Sequence, residues 1–407
     1  MTSTVAHFAP RNMDVQLNAE FDDIRPYYDE EIPGMIKKLI HDQSLLRSIG
    51  MFTWPRLYDL YPAGIRFLLK NLLKFRYRNI FNRDQLQDLL GRYVAYVIRT
   101  TTAGLTVSGI ENLPQNEPCL FISNHRDIVL DSAFIVYTLR ERGFQRPQLA
   151  VGDNLLQDGF AKDVMRMNRS FMVVRSAESA RAQYKALIKT SRYIRHILEQ
   201  GESVWIAQSQ GRSKDGTDTT DPAVLKMFML AYRSEFRDFD TWLNQVNLIP
   251  VTLTYELDPC APKKAHELYI RDSTGSYKKK EGEDISSIVA GIRGYKGRVH
   301  LAFSPRVTID TNGQNASSVL QFPTDDHLAV HIDEIMDQAT FQYPVFGEAK
   351  RQLEGGGGCQ LEYGMVRTKF NEQMEQIEPH LKSYFLRQYA NQLSTSNFSH
   401  TTMDPNT

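Results

Sequence analysis

The chain has 407 residues, a formal net charge of zero and a pI near 7.2. That length accommodates one large domain or two ordinary ones, and the balanced charge lacks the basic excess of a nucleic-acid binder, so no nucleic-acid partner is expected. The three cysteines, Cys119, Cys260 and Cys359, have no C-x-x-C spacing, which argues against a structural metal site or disulfide framework and fits a reducing compartment.

Residues 1–20 are polar and unpatterned, without the basic and apolar regions of a secretory signal, and read as a disordered tail. Residues 21–95 read as an N-terminal helical region, with a helix or two between Phe21 and about Gly50. From Tyr61 to Arg83, Ile65, Leu68, Leu69, Leu72 and Leu73 recur at helical spacing beside a stripe of Arg66, Lys70 and Lys74, with Phe75, Tyr77 and Phe81 interleaved among further arginines. The pattern describes either a helix lying on an anionic lipid surface or an amphipathic helix covering a core. No window approaches the roughly 18 apolar residues of a membrane span, so any membrane contact is expected to be peripheral.

Residues 96–310 alternate short apolar runs with helical patterns. Strands are predicted at Pro118–Ile122, Gln148–Val151, Phe171–Val174, Ser203–Gln208, Leu248–Tyr255 and Val299–Phe303, with helices at Ile128–Arg142, Ala180–Glu199 and Ala223–Ser234. This is an α/β pattern with a mostly parallel central sheet flanked by helices. Residues 311–407 read as a C-terminal helical extension, with Gly355–Gly358 as a flexible joint, a helix around Gln373–Leu393 and a frayed end.

Four segments carry the candidate chemistry. The first, Leu120-Phe-Ile-Ser-Asn-His-Arg-Asp-Ile-Val-Leu-Asp131, places His125 in a turn after a buried strand, with carboxylates at Asp127 and Asp131. A carboxylate can hold the imidazole in one tautomer so that it removes a hydroxyl proton; equally, Asp127 can cap the following helix and His125 can be an ordinary loop residue. The second, Asn168–Arg175, ends an apolar strand in a guanidinium. The third, Ser203–Lys214, runs an apolar strand into a turn carrying Gln210, Gly211, Arg212 and Lys214. Arginines at strand ends suit a phosphate, though each alone is an ordinary surface residue. The fourth, Asn247–Tyr255, carries Pro250, which suits the first residue of a strand or an edge strand.

In this order the four segments resemble the blocks of the glycerol-phosphate and 1-acylglycerol-phosphate acyltransferase family. Phe21-Asp-Asp-Ile-Arg-Pro-Tyr, Ile122-Ser-Asn-His-Arg-Asp-Ile, Val151-Gly-Asp-Asn-Leu-Leu-Gln, Lys214-Asp-Gly and Tyr255-Glu-Leu-Asp-Pro-Cys260 look like a bacterial branch of it, and the resemblance spans about Phe21 to Phe303. It implies His125 as general base, with Asn124, Arg126, Arg175, Gln210, Gly211, Arg212 and Lys214 binding substrate. The implied partners are a membrane lipid acceptor and acyl-CoA or acyl carrier protein as co-substrate, with no metal or cofactor. The implied location is peripheral, on the cytoplasmic face of the inner membrane. Two positions depart from the family pattern: position 130, where the family has its aspartate, is leucine, so Asp131 is preferred as the histidine's partner with Asp127 kept open; and Gln210 replaces a glutamate before Gly-Arg. The second departure leaves a lipid-binding, catalytically weakened descendant as an alternative, and a thioester or ester hydrolase is another.

Overall fold

The computed structural model describes residues 19–153, 159–175, 178–236, 238–280, 282–308 and 324–393. The tail expected at residues 1–20 lies outside the described residues apart from Ala19 and Glu20, as does the C-terminal end beyond Leu393. In chain order the helices are α1 (Ile32–Ile40), α2 (Gln43–Thr53), α3 (Pro55–Leu60), α4 (Pro62–Tyr77), α5 (Arg83–Thr101), α6 (Leu130–Glu141), α7 (Gly159–Met167), α8 (Ala180–Glu199), α9 (Pro222–Met229), α10 (Phe239–Leu243), α11 (Ala261–Thr274), α12 (Glu283–Arg293), α13 (Asp325–Ala339), α14 (Pro344–Leu353), α15 (Met365–Glu375) and α16 (Lys382–Ala390). The strands are β1 (Gly104–Ser108), β2 (Cys119–Ser123), β3 (Gln148–Gly152), β4 (Ser170–Val173), β5 (Val204–Ala207), β6 (Asn247–Tyr255) and β7 (Arg298–Phe303). This is the expected α/β class with mostly parallel strands. Six predicted strands are present, and β1, half-exposed and without a continuous apolar run, is the one that sequence pattern did not reveal.

Contacts divide the chain into two compact units: Met1–Asp88 with Gln148–Gln200, and Leu89–Pro147 with Gly201–Thr407. In the first, β3 and β4 pair in parallel, with Leu149 opposite Ser170. The segment around Phe21 is anchored there: the Phe21 ring lies 5.0 Å from that of Tyr193, and Arg166 donates to the carbonyl oxygens of Arg25 and Asp22 at 2.7 and 2.6 Å. The long sequence element expected at Tyr61–Arg83 is α4. Its only fully buried residue is Leu69, while Phe67, Leu68, Leu72 and Phe75 are exposed at 72, 53, 50 and 63%. Among the described residues no helix is long and apolar enough to cross a membrane.

In the second unit, the strands run β1-β7-β6-β2-β5. β2, β5 and β6 are mutually parallel, with Ser123 opposite both Ala207 and Val251, so their carboxyl ends meet at one edge. Every residue of β2 and β5 is buried, as expected of a parallel sheet covered on both faces.

Two expectations are corrected here. Pro250 is neither a first residue nor on an edge, because β6 pairs with β2 on one side and β7 on the other. It is tolerated because the β6–β7 ladder begins at Val251; the Pro250 carbonyl accepts from Ser304 N at 3.0 Å just past it, so the missing N–H falls where the ladder has ended. Gly355–Gly358 is not a free joint either: Arg351 donates to the carbonyls of Gly357 and Gly358 and its own carbonyl accepts from Gly356 N at 2.9 Å. The C-terminal helices form a core with α11, built on Phe346, Phe370, Phe385 and Tyr389.

Candidate active site

The site begins where β2 ends. Helix α6 starts at Leu130, two residues later than predicted, with Val129 at its N-cap position; ahead of it Asp127 closes a turn, its Oδ1 accepting from the backbone N–H groups of Val129 and Leu130, each at 2.9 Å. That delay places Asp131 in the first helical turn, facing back over the loop. Its Oδ2 accepts from His125 Nδ1 at 2.8 Å, from Arg126 N at 2.6 Å and from Asp127 N at 2.9 Å, and its Oδ1 accepts from the Tyr255 hydroxyl at 2.8 Å. Four donors thus satisfy a carboxylate whose residue is 0% exposed. Burial, and then the Asp131 charge, push the Tyr255 phenol well above its ordinary value, so it remains a proton donor to that carboxylate.

Asp131 is therefore the carboxylate on His125, and Asp127 closes the turn that leads into α6. Burial and then the Asp131 charge raise the Asp127 carboxyl above its usual range. With Nδ1 committed to Asp131, His125 Nε2 has no hydrogen-bond partner among the described residues. The imidazole is 13% exposed and stands edge-on to Trp205 at 6.5 Å.

Asn124 and Arg126, expected to touch substrate, are instead buried and paired within the protein. Asn124 copies a backbone pairing with β6: its Nδ2 donates to Leu253 O at 3.0 Å and its Oδ1 accepts from Leu253 N at 2.8 Å. Its second amide hydrogen reaches Asp218 Oδ2 at 3.0 Å, where Arg126 Nη2 also donates at 2.6 Å. Both side chains thereby bind the His125 loop to the turn that follows β5. Both side chains are buried; the Asn124 amide is fully engaged, whereas Arg126 bonds through Nη1 and Nη2 and its Nε makes no hydrogen bond among the described residues.

That turn carries Gln210, Gly211, Arg212 and Lys214. Gly211 has φ +83°, a left-handed geometry that favours glycine. The Ser213 N–H donates to the His125 carbonyl at 2.8 Å, so the turn and the histidine loop are directly joined. Gln210 is exposed and Arg212 half-buried, and neither makes a hydrogen bond among the described residues. Lys214 donates to Glu267 Oε2 at 2.5 Å; burial and then the neighbouring Arg212 charge bring its ammonium down to about 8, against the pull of Glu267. Arg175 belongs to the other unit, just beyond β4, where its backbone N–H donates to Asp153 Oδ1 at 3.0 Å.

Three functional neighbours escaped the sequence reading. Asp218 joins Asn124 to Arg126, and Lys264, 3% exposed, donates to the Arg126 carbonyl at 2.9 Å and pairs with Asp258 at 2.6 Å. Tyr255 had a signal, since a buried tyrosine at a strand end requires a partner for its hydroxyl. Asp218 and Lys264 had none, lying about ninety or more residues from the atoms they serve.

Residues 104–254, running from β1 to the penultimate residue of β6, match the family model described as Acyltransferase. No curated protein matches the chain. Among solved structures, the 1-acyl-sn-glycerophosphate acyltransferase PlsC from Thermotoga maritima is similar at 15% identity, over 72% of this chain and 93% of that one, with a TM-score of 0.36.

Proposed function

We propose that this chain, which carries an acyltransferase-family domain over residues 104–254, moves a fatty acyl group from a thioester carrier to the free hydroxyl of a phosphate-bearing glycerolipid. The observation that carries this reading is the His125 Nδ1–Asp131 hydrogen bond, with Nε2 left available. In this scheme Nε2 takes the hydroxyl proton as the acceptor oxygen attacks the thioester carbonyl. Asp131 stabilises the imidazolium that forms, as a buried carboxylate beside a catalytic imidazole does. Collapse of the tetrahedral intermediate breaks the carbon–sulfur bond, and the departing thiolate recovers the proton from Nε2. Coenzyme A or acyl carrier protein is the carrier, and no covalent acyl-enzyme is involved.

Arg212 and Lys214 are assigned to the acceptor phosphate, because they present cations on a turn joined to the His125 carbonyl and Arg212 makes no hydrogen bond among the described residues. Purified protein with a radiolabelled long-chain acyl thioester and a panel of lysophospholipids is expected to yield labelled phospholipid, with phosphomonoester acceptors preferred. Free fatty acid as the only product would instead establish a hydrolase. Lipid binding without any product would establish a binding protein in which Gln210, standing where the family has glutamate, has cost turnover.

A lipid acceptor requires a way to reach the bilayer, and α4 supplies the chemistry for one. Phe67, Leu68, Leu72 and Phe75 recur at helical spacing and are exposed, among Lys70, Lys74, Arg76 and Arg78, the last with its guanidinium 4.3 Å from the Phe75 ring centre. An exposed apolar face framed by cations fits an anionic lipid surface and supports peripheral attachment, for which the proposed location is the cytoplasmic face of the inner membrane. Co-sedimentation with anionic vesicles is expected to weaken at least about tenfold when Phe67 and Phe75 are both changed to serine, from the loss of two buried aromatic rings. Undiminished binding would remove α4 from this role.

A further inference from the structure

The turn that carries Arg212 is held from two sides. On one side lies the His125 loop, through Ser213 N to the His125 carbonyl and through Arg126 Nη1 to Ser213 Oγ at 3.3 Å. On the other lies the end of α16, from a part of the chain outside the residues that match the acyltransferase model. Gly216 is buried with φ +88°, and a Cβ placed there would stand 2.1 Å from the Gln388 carbonyl oxygen and 2.8 Å from its carbon. The backbone of the turn therefore rides directly on the backbone of the helix, at a separation only glycine permits.

Two further contacts set the alignment. Asn391 Nδ2 donates to the Asp215 carbonyl at 3.0 Å and lies 3.5 Å from Thr217 Oγ1. The helix is itself fixed to α11 and the segment before it: Gln388 Nε2 donates to Ala261 O at 2.9 Å, and the Tyr389 hydroxyl accepts from Asp258 N at 3.2 Å. A cavity of about 20 Å³ in this region is lined by Arg126, Ser213, Lys214 and Lys264 as well as by Gln388 and Tyr389. Residues of the turn, the histidine loop and the C-terminal helix thus share one polar seam.

We propose that α16 is the support of the acceptor site, with Gly216 and Asn391 as positioning residues that hold the turn at the register where Arg212 meets the acceptor phosphate. The C-terminal helices then bear on acceptor binding only through the turn they support. This rests on the acyl-transfer reading above. Neither residue touches the substrate; both act through the backbone between Asp215 and Thr217.

The test uses the full chain and the variants Asn391→Ala, Asn391→Asp and Gly216→Ala, each checked for native melting temperature. Transfer is measured against 1-acylglycerol 3-phosphate and against 1-acylglycerol, which lacks the phosphate. Loss of the Asn391 donor is expected to raise KM for the phosphorylated acceptor about three- to tenfold. Here kcat and transfer to the unphosphorylated acceptor stay near native. Asn391→Asp keeps the size but not the donor and must behave like the alanine variant. Gly216→Ala, if folded, should shift KM further. An unchanged KM in folded variants, or an equal loss toward both acceptors, would overturn the proposal. Calorimetric binding of glycerol 3-phosphate to native and Asn391→Ala protein reads the same effect without turnover. If native protein transfers to no acceptor, the acyl-transfer reading fails; the binding comparison still decides whether α16 positions an anion site.

Discussion

Replacing His125 by alanine is expected to lower acyl transfer by about 10²- to 10⁴-fold, the usual contribution of a positioned general base, while the fold and vesicle binding persist. Persistence follows from the hydrogen bonding. Asp131 loses one of its four donors but keeps the N–H groups of Arg126 and Asp127 and the Tyr255 hydroxyl, so no buried carboxylate oxygen is left bare. The His125 side chain, 13% exposed and edge-on to Trp205, makes one side-chain hydrogen bond among the described residues, so truncation costs some packing, but the His125 carbonyl keeps the Ser213 N–H that joins the loop to the turn. Initial rates with a labelled thioester, alongside a melting curve and vesicle co-sedimentation, check the three parts separately. Transfer that survives in the alanine protein would sink the general-base assignment. Release of free acid that falls in step with transfer is accommodated, since water can be activated by the same nitrogen.

The second large effect separates the two carboxylates that the sequence left in competition. Asp131→Asn is expected to reduce kcat by about 10²- to 10⁴-fold, by analogy with loss of the carboxylate behind other catalytic imidazoles. The amide can be placed with its oxygen toward His125 and its nitrogen toward Tyr255, whose hydroxyl accepts as readily as it donates, so the structure survives. What disappears is the negative charge that stabilises the imidazolium. The opposite amide orientation is disfavoured, because it would set the NH2 group against the backbone N–H groups of Arg126 and Asp127. Asp127→Asn, by contrast, should retain activity to within about threefold. Asparagine closes such a side-chain turn about as well as aspartate, and the Asp127 oxygen that matters accepts from Val129 and Leu130. Steady-state kinetics of both variants check this. A more severe loss at position 127 than at 131 would transfer the partner role to Asp127.

Much of this arrangement was legible before any fold was known. Continuous apolar runs marked β2, β5 and β6 because strands buried on both faces leave no polar alternation to disguise them. The positions of His125 and of the Gly-Arg turn followed from where those runs stopped. Other features resisted. The half-exposed β1 lacks an apolar run, and the caps and turns depend on backbone geometry that residue types only bias. Asn124 and Arg126 sit in the motif beside His125, and residue identity alone does not say which side chains face a substrate and which face the protein.

What the sequence determined by itself is local: the period of its apolar residues, the places where strands end, and the presence of a histidine, two carboxylates and a cationic turn in one order. What only the tertiary structure decided is pairing over distance. Asp131 rather than Asp127 holds His125 because the turn closed by Asp127 leads into a helix that begins at Leu130, and the acid in its first turn faces back over the loop. Asp218, Tyr255, Lys264 and Asn391 enter the site from far along the chain. Their roles arise from hydrogen bonds whose geometry exists only once β2, β5 and β6 bring their carboxyl ends to one edge. Periodicity records which face of an element is buried, but not which atom of another element it will meet there.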